Sequence, residues 1–73
     1  MKRYIKSSEE LGTNLKRERK RLKLKQKEVA AMLGVERSTY AYQELGKSKL
    51  SVLDLIKLSE IFKISVESLI YVE

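Results

Sequence analysis

Seventy-three residues suit one small domain, whose core is marginal unless packing is efficient or a partner adds buried surface. The chain has neither cysteine nor histidine, which excludes disulfides, thiolate and imidazole metal sites, cysteine nucleophiles and the usual general base; no cofactor and no metal is expected. A formal net charge of +6 favours a polyanionic partner, and residues 1–49 carry the excess, with fourteen Lys/Arg against six Asp/Glu, whereas residues 50–73 hold two against four.

In chain order, "MKRYIKSSEE" has charge but no apolar signal region, and the longest apolar run, "VAAML", is too short to cross a bilayer, so a cytoplasmic chain with no membrane partner is expected. Residues 1–7 read as a flexible N-terminal arm on a single domain spanning 1–73. Without proline or alternating β-branched runs, the rest reads as all-α. Ser7 with Glu10 has capping-box spacing, and Leu11, Leu15 and Leu22 recur on one face, predicting a first helix from about Ser8 to about Leu22.

Gln26 opens a short second helix, "QKEVAAML", with Val29, Ala30 and Leu33 as its apolar stripe and Gly34 as its left-handed stop. A third helix starts at Glu36 or Arg37 and ends before Gly46. Ser51 with Asp54 predicts a fourth helix, the most apolar and therefore expected to be central, and Ser65 caps a short fifth that includes Val66, Leu69 and Ile70. The expected fold is a compact bundle of five short helices.

Two short helices joined by "GVE", with small Ala30 where they cross and Gly34 where positive φ is needed, satisfy the sterics of a helix-turn-helix over about residues 26–45. Tyr40 and Tyr42 project about 200° apart on the third helix, so one faces the core and the other solvent. Arg37, Ser38, Ala41, Tyr42 and Leu45 form one stripe. Arg37 can donate bidentately to guanine, and Ser38 can donate or accept.

The stretch "LKQKEVAAMLGVERSTYAYQELGKSKLSVLDLIKLSEIFKISVESLI" resembles the phage-repressor and Cro-like (XRE) helix-turn-helix family of bacterial regulators. The resemblance implies a lambda-repressor-like DNA-binding domain whose third helix enters the major groove of double-stranded DNA. It assigns Tyr40 inward, base contacts to Arg37, Ser38 and Tyr42, and a phosphate anchor to Gln26, flanked by Lys25 and Lys27. Thr39 and Lys47 join the phosphate set. It also pairs Glu44 with Arg19 as a structural brace.

Bland alternatives stand beside these roles: Tyr42 sealing the packing of the second and third helices, Arg37 a solvated charge, Gln26 a cap for its own helix. Glu18, Gln43, Glu36 and Leu50 depart from the family pattern. Glu18 and Gln43 are expected to join a polar network near Arg19 and Glu44, and Leu50, where proline is frequent, to loosen the loop before the fourth helix.

The expected function is a sequence-specific transcriptional regulator, a repressor binding operator half-sites as a homodimer, with the fifth helix and "SLIYVE" as the dimer surface. The alternative is an antitoxin or restriction-modification controller of the same fold that also binds a protein partner. No activated nucleophile or small-molecule pocket is evident, so no enzymatic activity is expected.

Overall fold

The computed structural model describes residues 2–72. Five helices follow in order: α1 (Ser8–Arg21), α2 (Gln26–Leu33), α3 (Arg37–Leu45), α4 (Val52–Phe62) and α5 (Val66–Ile70). Serine oxygens start three of them by satisfying amides that the first helical turn leaves without partners. Ser7 accepts from the Glu10 N–H at 3.1 Å, Ser51 from Asp54 at 3.1 Å and Ser65 from Ser68 at 3.1 Å. The Glu10 carboxylate accepts from the Lys6 N–H at 2.6 Å, one residue earlier than a capping box requires. Gly34 and Gly46 end α2 and α3 at φ 82° and 75°, where a side chain would strain the backbone.

Leu15, Val29, Ala30, Leu33, Tyr40, Leu58, Phe62 and Leu69 form the buried core, one or more from every helix. Leu50 also packs against it, so the segment before α4 is anchored where the sequence leads one to expect a looser loop. The expectation of a central α4 holds for one face. Leu58, Ser59 and Phe62 are buried, but Val52, Leu53 and Ile56 are exposed.

Helices α1 and α3 approach each other closely at Gly12. A Cβ there would lie 2.2 Å from the Glu44 carbonyl oxygen, so only a glycine lets the two backbones approach this closely.

The N-terminal segment is tied down where the sequence predicts a flexible arm over residues 1–7. Strand β1 (Arg3–Tyr4) pairs antiparallel with β2 (Tyr71–Val72), with Arg3 opposite Val72 and Tyr4 opposite Tyr71. The two tyrosine rings stack with centroids 4.6 Å apart. Arg3 forms a two-pronged pair with Glu10, and this hydrogen bonding, helped by the Lys6 N–H, holds the Glu10 carboxyl down at about 2. Met1 lies outside the described residues. Buried Asn14 fastens the other end, donating to the Leu69 carbonyl at 2.7 Å and the Tyr71 carbonyl at 2.9 Å.

Candidate nucleic-acid interface

Helix α3 places its residues on two sides as the 3.6-residue period requires. Tyr40 is fully buried and Tyr42 is 53% exposed. Arg37 and Ser38 are exposed at the first turn, with Leu45 exposed further along and Ala41 and Thr39 half-buried. Ala41 and Leu45 also line an open groove between α1 and α3, whose other walls include Thr13, Lys16 and Gln26. The exposed stripe therefore runs from Arg37 to this groove.

Behind the stripe lies a charged assembly. Arg19 donates to Glu44 twice, from Nε to Oε2 at 2.6 Å and from Nη2 to Oε1 at 3.1 Å, and its third donor, Nη1, reaches the Leu24 carbonyl at 2.9 Å. The side chains are 12% and 3% exposed, so this is a buried pair with most of its hydrogen-bonding capacity met. Burial pushes the Glu44 carboxyl up, but hydrogen bonds from Arg19 and Gln26, with the Tyr40 hydroxyl close by, outweigh it and leave Glu44 below the usual carboxylate range. The same hydrogen bonding holds the Arg19 guanidinium above its ordinary value. Burial foremost, then the neighbouring carboxylate, drives the Tyr40 phenol well above the ordinary range.

Gln26 connects this assembly to the surface. Its Nε2 donates to Glu44 Oε1 at 3.0 Å, and its Oε1 accepts from Arg37 Nη1 at 3.2 Å. One amide thus bridges a buried carboxylate and an exposed guanidinium. The start of α2 is closed separately, by the Lys25 N–H donating to the Glu28 carboxylate at 2.8 Å. Lys25, Lys27 and Lys47 are all exposed. Glu36 precedes α3 without a side-chain cap bond, so the first amides of that helix remain open to an acceptor from outside.

The structure brings Arg19, Gln26, Arg37 and Glu44 into one chain of hydrogen bonds, with Tyr40 packed beside it, while Ser38 and Tyr42 stand on the exposed side of α3. Two sequence expectations fail here. Glu18 turns to its own helix, accepting from Arg17 at 3.3 Å and Arg21 at 2.7 Å, because those guanidiniums lie within one turn. Gln43 is buried, and its Oε1 has no hydrogen-bond partner among the described residues, so neither side chain joins the Arg19–Glu44 network. The sequence pattern by itself gives Gly12 no role, although a glycine inside a helical pattern is a signal of a packing constraint.

The sequence pattern of the family described as helix-turn-helix matches residues 15–69. Among solved structures, the restriction-modification controller protein C.AhdI from Aeromonas hydrophila superposes with a TM-score of 0.81 at 26% identity, covering 85% of this chain and 94% of that one. The clp gene regulator ClgR from C. glutamicum has the same fold, with a TM-score of 0.80 at 22% identity over 85% of this chain and 80% of the regulator. Hydroxypropylphosphonic acid epoxidase from S. wedmorenis contains a similar unit, with a TM-score of 0.82 at 25% identity; 88% of this chain matches, but it covers only 34% of the enzyme. No curated protein sequence matches the chain significantly. The family pattern spans most of the chain and coincides with the helix pair, its glycine turn and the packing around it, so the chain belongs to the XRE-type helix-turn-helix family of DNA-binding regulators.

Proposed function

We propose that this protein is a sequence-specific transcriptional regulator, a cytoplasmic repressor that binds double-stranded operator DNA as a homodimer, each protomer reading one half-site with α3. The observation that carries this reading is the exposed Arg37 guanidinium at the start of α3, held by Gln26 to the buried Arg19–Glu44 pair. A long side chain already restrained from behind loses less rotamer freedom when it meets a base edge. Arg37, Ser38 and Tyr42 are assigned to bases, and Gln26, Lys25, Lys27, Thr39 and Lys47 to phosphates. Family membership supports the DNA-binding part of this reading. The likeness to the epoxidase involves about a third of that enzyme, and the present chain is proposed to act by binding alone.

A second reading has one observation in its favour: the controller protein from Aeromonas hydrophila is matched over 94% of its length, which makes a restriction-modification controller the preferred alternative to a stand-alone repressor. An antitoxin role has no comparable support.

Selection of bound duplexes from a random pool, followed by affinity measurements on the winning sequence and its single-base variants, tests the proposal. Arg37→Ala should cost about 1 to 3 kcal/mol on the selected sequence and flatten the preference at one base pair. Uniform weakening across all sequences would reassign Arg37 to phosphate. Failure of the wild type to retain any duplex at low salt would overturn the DNA-binding proposal altogether.

A further inference from the structure

Helical spacing spreads five basic residues around α1, and the folded chain sorts them into engaged and free. All three arginines are engaged: Arg17 donates to Glu18 and Asn14, Arg19 to Glu44, and Arg21 to Glu18 and the Phe62 carbonyl. The ammonium groups of exposed Lys16 and Lys20 meet no hydrogen-bond or ion-pair partner among the described residues. Of these two, Lys16 lines the open groove between α1 and α3.

That groove connects the two places assigned to phosphates. Gln26 stands in its wall at the start of α2, and Glu9 lines it on α1. Glu9 lies against the end of α3, where a Cβ on Gly46 would come within 2.6 Å of the Glu9 Cα, and Lys47 follows directly from this contact. Lys16 is therefore between the two anchors. Helix α1 rises about 10 Å from Glu9 to Lys16. Successive nucleotides of one DNA strand advance by about 3.4 Å, which leaves room for a phosphate between the anchors.

We propose that Lys16 neutralises a DNA phosphate lying between the one held at Gln26 and the one held at Lys47, so that the groove-facing rim of α1 carries one strand past the reading helix. The inference rests on the DNA-binding reading above and extends its interface to α1, to which that reading assigns no DNA contact. The other groove walls single out Lys16 as the donor. The Thr13 hydroxyl already donates to the Glu9 carbonyl at 3.0 Å and has no second proton for a phosphate. Glu44 is buried and paired with Arg19, so its charge is answered from behind. Ala41 and Leu45 offer carbon surface, which suits a deoxyribose face and not a charged oxygen. Exposed Glu9 opposes a phosphate from its end of the groove. The two charges thus predict opposite responses to neutralisation.

Affinities of the full chain for its selected duplex, and for copies in which single phosphates are replaced by uncharged methylphosphonates, test the assignment. At about 0.15 M salt, Lys16→Gln should weaken binding about fivefold per bound protomer, as loss of one phosphate contact does, with base preference unchanged. Glu9→Gln should strengthen binding. Lys57→Gln, at an exposed position of α4, should leave it unchanged. One methylphosphonate should weaken the wild type but have little effect on Lys16→Gln. Its position should lie between those to which Gln26→Ala and Lys47→Ala become insensitive. Circular dichroism melts check that the variants stay folded. Lys16→Gln binding like Lys57→Gln, or staying as sensitive as the wild type at every phosphate, would overturn the Lys16 contact and leave the DNA-binding reading standing. A wild type that holds no duplex at low salt would overturn both.

Discussion

Glu44 is nearly sealed from solvent yet sits one hydrogen bond away from Gln26, which in turn holds an exposed arginine. Its replacement by glutamine removes a charge while keeping the shape, so the Arg19 guanidinium remains in place without its counter-charge. Breaking one side of a buried pair costs about 3 to 5 kcal/mol, and the lower end applies because Arg19 keeps 12% exposure. Glu44→Gln should therefore lose about 3 kcal/mol of stability in urea unfolding at neutral pH. The pH dependence has a definite sign. A carboxyl held below its unfolded value contributes stability that is fully present above the usual carboxylate range and is lost as pH falls through the lowered folded value. The gap between wild type and Glu44→Gln should narrow on acidification through that window; a gap that stays constant would mean that the loss does not come from the charge of Glu44. The Arg19–Glu44 pairing was legible from the family pattern, but the link through Gln26 was not, since it depends on where two side-chain amide atoms point.

The helices themselves were largely legible, because their ends are written in single residues. Ser7, Ser51 and Ser65 start three, and Gly34 and Gly46 stop two. The strands were not, since two residues give no period-2 signal and the pairing of Arg3 with Val72 is created by the bundle bringing the chain ends together. Element packing also hid the role of Gly12. Glycine normally weakens a helix interior by about 1 kcal/mol relative to alanine, so propensity alone predicts that Gly12→Ala stabilises α1. The crossing of α1 on α3 predicts the reverse: the added methyl carbon would meet the Glu44 carbonyl oxygen at 2.2 Å and its carbon at 2.6 Å, both backbone atoms that cannot rotate away. The helices must separate, and overpacking of this kind costs about 1 to 3 kcal/mol. Thermal melting of Gly12→Ala decides between the two, and a raised midpoint would show that the contact between α1 and α3 is looser than described. Because α3 carries Arg37, Ser38 and Tyr42, a Gly12→Ala protein that stays folded should also bind its selected duplex more weakly.

At the scale of the whole molecule, the charge division visible in the sequence and the apolar division visible only in three dimensions run together. Composition alone located the basic excess in residues 1–49, but not which side of the apolar α4 faces outward, because Val52, Leu53 and Ile56 are as hydrophobic as the buried Leu58 and Phe62. The division makes the salt dependence of duplex binding selective. Each phosphate neutralised by a lysine releases condensed counterions and contributes about 0.9 to the log–log slope of affinity against salt, whatever the base sequence. Lys25, Lys27 and Lys47 are exposed and assigned to phosphates, whereas Lys63 is exposed at the end of α4, in the half with the acidic balance. Lys47→Ala should therefore reduce the magnitude of the slope by about 0.9 per bound protomer, with little change in base preference. Lys63→Ala should leave the slope where it was. Titrations of both variants against one duplex at several salt concentrations separate a defined DNA-facing side from diffuse attraction: equal losses would mean that the protein is held by its net charge, and that α3 has no privileged approach to the groove.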